Sequence, residues 1–147
     1  MKQYFLLLAV LPLLWGCGLM DGNGDSEGCA QRWGEAYFSC DFQKAQEYTT
    51  AEGHKWLQFA ASNMTEEDLA LINGREDAVE VSVTDLYVGN DTMATAMLQV
   101  SYWLSFDAIG HSSIKENGVF SVDLVKRDGK WQVRMAGLPQ SEKQSRD

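Results

Sequence analysis

The alternation of apolar and polar positions is sharpest across residues 118–135. Phe120, Val122 and Leu124 alternate with Ser121 and Asp123. Beyond an Asp128-Gly129 pair, Trp131, Val133 and Met135 alternate with Lys130, Gln132 and Arg134. Asp-Gly between two such runs is a strong hairpin signal, because the favoured two-residue turn needs positive φ at both central positions. That turn predicts Arg127 opposite Lys130, Leu124 opposite Val133 and Val122 opposite Met135. Phe120, Val122, Leu124, Trp131, Val133 and Met135 then share one face. Ser121, Asp123, Arg127, Lys130, Gln132 and Arg134 share the other. Val119 and Val125 are the exceptions. A sheet with one apolar face requires helices to cover it.

Upstream the apolar period is helical. Cys29, Trp33, Ala36, Tyr37 and Cys40 predict a helix over 26–39. Asp41 reads as the N-cap of a short helix carrying Phe42, Ala45 and Tyr48. Thr49 and Glu52 form a capping-box pattern ahead of a helix with Trp56, Leu57, Ala60 and Met64 on its apolar face. Thr65-Glu66-Glu67-Asp68 opens another helix, with Leu69 and Ile72 inward and Asn73-Gly74 as a left-handed C-cap.

The period then changes to two. Val79, Val81 and Val83 alternate with polar residues, and the apolar set slips to Leu86 and Val88, which predicts a bulge. Gly89-Asn90-Asp91 reads as a turn. Residues 92–106 read as one long strand. Ala94, Ala96, Leu98, Val100, Tyr102, Leu104 and Phe106 lie on one face, with Met93, Met97 and Trp103 on the other among polar residues. Helices followed by a four-strand meander predict an α+β domain, with helices packed on a curved antiparallel sheet.

Composition changes this picture only at the N-terminus. The chain has 147 residues and a formal charge of −9, with no basic patch to neutralise phosphates, which argues against nucleic acid. Lys2 followed by the apolar run 5–15 reads as a targeting segment too short to span a bilayer. It ends in Leu14-Trp15-Gly16-Cys17, which resembles the lipobox of bacterial lipoprotein signal peptides, although Trp15 stands where a small or aliphatic residue is usual. The resemblance implies cleavage before Cys17 and a diacylglyceryl group on its thiol. The implied organisation is a signal peptide over 1–16, a lipidated Cys17 with a flexible tether over 17–28, one domain over 29–137 and a polar tail over 138–147. A Gly-rich tether of about ten residues reaches on the order of 15–20 Å and leaves the domain free to rotate. The implied location is the bacterial cell envelope, with the bilayer as first partner.

Three patterns carry a second resemblance. They are Trp33, Tyr37 and Phe38 leading into Asp41-Phe42-Gln43-Lys44-Ala45, the strand from Ala94 to Phe106, and the ending Asp128-Gly129-Lys130-Trp131. The chain resembles the nuclear-transport-factor-2-like superfamily, a cone-shaped cystatin-like fold, and within it small bacterial lipoproteins of unassigned function. That resemblance implies a fold rather than a chemistry. Enzymes of the fold place an Asp or a Tyr/His set deep in the cone, and Tyr37, Tyr102, Trp103 and Asp123 are the positions here.

Candidate chemistry is thin. His54 and His111 have no ligand at metal spacing, so neither metal nor cofactor is expected. Cys29 and Cys40 on one helix would lie about 16 Å apart, beyond disulfide reach, and read as buried thiols. Asp123 opposite Arg134 reads as a cross-strand ion pair. Met93, Met97 and Trp103, with Tyr37, are the candidate face for a partner or an apolar ligand. The leading reading is a tethered, non-enzymatic binding domain whose partner is an envelope protein or a small apolar ligand. One alternative is an isomerase or dehydratase with a pocket in the cone; packing of Leu98, Val100, Phe120 and Leu124 at its centre would oppose it. Another is a structural component of an envelope assembly.

Overall fold

The computed structural model describes residues 25–108 and 111–142, but not the side chains of 106–111. Cys17, the expected signal peptide and most of the expected tether lie outside the described residues. The described chain opens with α1 (Ser26–Phe38), α2 (Phe42–Gln46), a 3-10 turn (Ala51–Gly53), α3 (His54–Ser62) and α4 (Glu66–Gly74). The strands follow: β1 (Glu80–Asn90), β2 (Met93–Ser101), β3 (Trp103–Ala108), β4 (His111–Lys115), β5 (Gly118–Arg127) and β6 (Lys130–Arg134). A four-stranded antiparallel sheet has the order β1-β2-β5-β6, and β3-β4 form a separate hairpin. The fold is therefore α+β, and it is the helix-covered antiparallel arrangement that the sequence predicts.

The β5–β6 register is as expected, with Leu124 opposite Val133 and Arg127 opposite Lys130. Asp128 and Gly129 both have positive φ, 53° and 75°, as the two-residue turn requires. The slip in β1 is also real. The β1–β2 ladder shifts between Val83 and Asp85, so Leu86 returns to the buried side opposite Ala96. Helix α1 crosses that side, burying Cys29, Ala30, Trp33, Ala36 and Phe38 in one core with Leu98, Val100, Phe120, Val122 and Leu124.

Two helix starts behave as their residues dictate. Asp41 accepts the Lys44 N–H at 3.2 Å at the head of α2. Thr65 and Asp68 form a reciprocal capping box on α4, at 3.1 and 2.9 Å. Partial burial of Asp68 opposes its ionisation, but hydrogen bonds from Ser112 of β4 and from Thr65 outweigh it and hold its pKa below the ordinary value.

Thr49 does not cap a helix. It is buried, accepts the Trp33 indole N–H at 3.0 Å and donates to the Ala45 carbonyl at 2.7 Å. Its neighbours complete the edge of β6: Val133 N–H donates to Tyr48 O at 2.7 Å, and Thr50 N–H donates to Val133 O at 3.0 Å. A sheet edge needs partners, and that demand outweighed the local capping preference. Glu52, the other half of the expected box, instead meets Arg127 at 3.0 Å.

The end of α4 also differs from expectation. Gly74 is not left-handed, and the chain leaves the helix through an extended Arg75. Leu69 is 50% exposed rather than inward, because α4 packs chiefly on the β3–β4 hairpin. Part of the expected tail is held down: Ser141 is buried, and Glu142 N–H donates to Val119 O at 2.8 Å.

The largest departure is at Tyr102. The expected single strand from 92 to 106 breaks there, where Tyr102 takes φ 61° between β2 and β3. A left-handed residue inside an extended run redirects the chain. Trp103 turns into the core, and Tyr102 is left half-exposed.

Candidate functional site

The break at Tyr102 divides the four candidate residues between two places. Trp103 and Tyr37 lie inside, and Met93 and Met97 lie outside. The expected strip of Met93, Met97 and Trp103 on one face is therefore corrected for Trp103.

The inner place is a chain of stacked rings. Trp33 and Tyr37 stack with centroids 4.9 Å apart at 10°, and Tyr37 meets Phe38 edge-on at 5.0 Å. Phe38 lies 4.6 Å from Phe120, and Trp103 meets Phe120 edge-on at 4.9 Å. Offset-stacked and edge-to-face pairs of this kind add to area burial because ring faces and edges carry opposite partial charge. Gly118 makes room for Trp103: a Cβ there would lie 2.7 Å from the indole nitrogen. That indole N–H is buried without a hydrogen-bond partner. Burial raises the Tyr37 phenol well above its ordinary range, with Cys40 adding to the shift, so it stays protonated.

This packing bears on the enzyme alternative. Leu98, Val100, Phe120 and Leu124 all join the same core cluster, packed between α1 and the sheet. Tyr37 is engaged by three other rings. Asp123 lies on the outer face, exposed and opposite Arg134 as expected. Its carboxylate takes the Thr95 hydroxyl at 3.1 Å rather than the Arg134 guanidinium. The Asp and Tyr positions that the resemblance offered for catalysis thus do not converge on a shared cavity.

On the outer face, the ladders place Met97 opposite Ser121 and Met93 opposite Val125. Met93 is 44% exposed and Met97 half-buried. Two further apolar side chains lie close by in β1, Tyr87 at 60% and Val88 at 65% exposure. The sequence pattern had assigned Val88 to the buried set, because alternation reports which face a residue takes, not how far along the strand the covering helix extends. The signal that was available was position: both precede the turn of the hairpin.

A separate open cleft of about 490 Å³ lies between α4 and the β3–β4 hairpin, lined by Leu71, Arg75, Tyr102, Ile114 and Glu116 among others. Tyr102, assigned by alternation to the core, faces this cleft instead.

Cys29 and Cys40 are both free. Cys29 is buried and donates to the Trp131 carbonyl at 3.4 Å. Cys40 has φ 64° and ends α1, with Cys40 N–H bonded to Tyr37 O and Asp41 N–H to Ala36 O. This is the Schellman arrangement, with Cys where Gly is usual. Burial pushes both thiols up to about 11. The His54 ring lies 3.2 Å from the Thr49 carbonyl through Nε2, and the His111 side chain is outside the described part. Among the described residues no group of three His, Cys, Asp or Glu side chains is arranged to hold a metal, and no helix is long and apolar enough to cross a membrane.

Taken together, these elements define a small α+β domain with an aromatic interior and an apolar outer strip. No protein-family model matches the chain, and no curated protein matches it. Among solved structures it is similar to an NTF-2-like protein of unknown function from Shewanella oneidensis MR-1, at 12% identity over 84% of this chain and 94% of that one, with a TM-score of 0.43. A likeness of that closeness bears on neither activity nor ligand, and the fold stands on the strand order and register given above.

Proposed function

We propose that this chain is a bacterial envelope lipoprotein whose domain binds a partner without catalysing a reaction. What supports the reading is the packed interior: the aromatic and aliphatic side chains between α1 and the sheet leave recognition to the outer surface. In this reading Cys17 carries the acyl anchor, two or three chains being enough to hold a domain stably at a bilayer. The outer face around Met93 and Met97 meets an envelope protein or a small apolar ligand.

Two arms test the proposal. Cells fed an alkyne analogue of palmitate should label the wild-type chain and leave Cys17→Ser unlabelled and released from membranes. Light crosslinking in intact envelopes should give a reproducible adduct that Met97→Glu abolishes, without loss of folding. No label on the wild-type chain, or adducts indifferent to Met97→Glu, would overturn the corresponding half.

A further inference from the structure

We infer that two copies of this chain pair edge to edge through β1, antiparallel and centred on Tyr87, so that their four-stranded sheets join into one. This pairing is independent of the anchor and of the partner proposed above.

The direction of the backbone groups along β1 comes first. Alternate residues of a strand turn N–H and C=O to opposite sides. At the two ends of β2, the Lys126 N–H donates to Thr92 O at 2.8 Å and the Tyr102 N–H to Glu116 O at 3.4 Å. Even-numbered residues of β2 therefore turn toward β5, and odd-numbered ones toward β1. Thr95 and Met97 meet Tyr87 and Asp85 in that way. Leu86 and Val88 stand opposite Ala96 and Ala94, so their N–H and C=O groups turn away from β2. On that side β1 is the edge of the sheet, and it pairs with β2 alone among the described strands. Val81 confirms the direction, because its carbonyl accepts from Gln31 Nε2 of α1 at 2.6 Å.

The bulge divides this edge into a guarded and an open half. Before it, Gln31 occupies the Val81 carbonyl, and the register shift between Val83 and Asp85 interrupts the row. Beyond it, Leu86, Tyr87 and Val88 include no Lys, Pro or charge, the residues that usually keep an edge from pairing. The side chains there are bare on both sides: Tyr87 on the outer face and Val88 on the inner. A partner lying against one face covers only one of them. A strand alongside β1 covers both, because its own side chains alternate in the same way.

A second copy supplies that strand in one register. With Tyr87 opposite its counterpart, Leu86 of each copy meets Val88 of the other, and each such pair exchanges two hydrogen bonds. Centring on Val88 would set Leu86 against Asn90, which pairs with Met93, and centring on Leu86 would set Val88 against the bulge at Thr84. The Tyr87 register also places Asp85 opposite Gly89, so no like charges face each other. Leu86 and Val88 become cross-strand neighbours on one face and the two Tyr87 rings on the other. The contact is isologous, so it closes at two copies.

The test is disulfide trapping of the full chain in the membranes of the cells that express it. Facing Cα atoms of a non-hydrogen-bonded antiparallel pair are about 4.5 Å apart, within disulfide range, so Tyr87→Cys should give about tenfold more dimer than wild type on a non-reducing gel. Wild type sets the background from its own cysteines. Thr84→Cys, also exposed, should stay at that background. Adding Val88→Pro to Tyr87→Cys removes an outward N–H that β2 does not use, and should abolish trapping with the circular dichroism spectrum unchanged. Tyr87→Cys at background, or equal trapping at positions 84 and 87, would overturn the pairing. Trapping that survives Val88→Pro would overturn the edge contact in favour of packing between faces. Disulfides from position 87 chiefly to another protein would overturn the second copy as the occupant.

Discussion

The inner ring cluster and the tip of the β1–β2 hairpin are built from the same kinds of side chain, yet they do opposite work. Phe38, Trp103 and Phe120 are buried in contact with one another. Tyr87, Val88 and Met93 are among the most exposed large apolar groups. The difference lies in what stands above them. Helix α1 packs on the inner face with Phe120 and Trp103, whereas Tyr87 and Met93 lie on the outer face of the sheet and Val88 near the end of β1. Apolar area that folding removes from water stabilises the fold, whereas apolar area left in water is available to a partner.

Five measurements would break or sharpen that contrast. The largest effect is expected for Trp103→Ala, at about 3–5 kcal/mol of lost stability in urea unfolding. A loss comparable to that of a surface change would mean that Trp103 is not the centre of the inner region. Gly118→Ala acts on the same contact from the other side. Its methyl group would lie within 2.9 Å of three indole atoms, and overpacking of this kind costs about 1–3 kcal/mol. A neutral outcome would show that the indole can move.

The thiols give a pH signature. Burial raises Cys29 and Cys40 from 9.0 to about 11, so the unfolded chain releases these protons first. Their contribution is complete below pH 9 and is lost as pH rises through about 11. The slope is at most about 1.4 kcal/mol per pH unit for each thiol. Urea midpoints across this range should fall less steeply in Cys29→Ala than in wild type, and parallel curves would contradict burial of the thiol.

Cys40→Gly should stabilise by about 1 kcal/mol, because a side chain in the left-handed region costs on that order. Differential scanning fluorimetry reads this as a higher Tm, and a lower one would mean that packing of the Cys40 side chain outweighs its backbone strain. The smallest effects belong to the tip. Tyr87→Ser, Val88→Ser and Met93→Ser should each change stability by less than about 0.5 kcal/mol. A cost of several kcal/mol at any of them would erase the distinction between the two regions.

Legibility in the sequence followed the range of the interaction. Asp41 and Thr65 cap α2 and α4 with groups three residues away, and both were readable. Thr49 and Glu52 carried the same local pattern, but Thr49 serves Trp33 and Ala45 while Glu52 meets Arg127. Tyr102 bears no mark that distinguishes it from a strand residue. A left-handed tyrosine is tolerated because the chain must leave the large sheet there for the β3–β4 hairpin, and burial of Trp103 against Phe120 offsets the strain. Once Tyr102 was read as extended, the faces of Tyr102 and Trp103 were exchanged. The candidate face lost Trp103 for that reason, and it missed Tyr87 and Val88 because helix coverage is a property of the assembled core.

By itself the sequence determined the α+β order, the register of β5 against β6 and the bulge in β1. A two-residue turn and a period of two leave those pairings little freedom, since a one-residue slip would expose a whole apolar face. Only the tertiary structure decided where the long strand breaks, which aromatic rings form the interior and which end of the sheet stays bare. Those choices depend on how far a helix reaches across a sheet and on contacts between residues distant in sequence, and no local pattern encodes either.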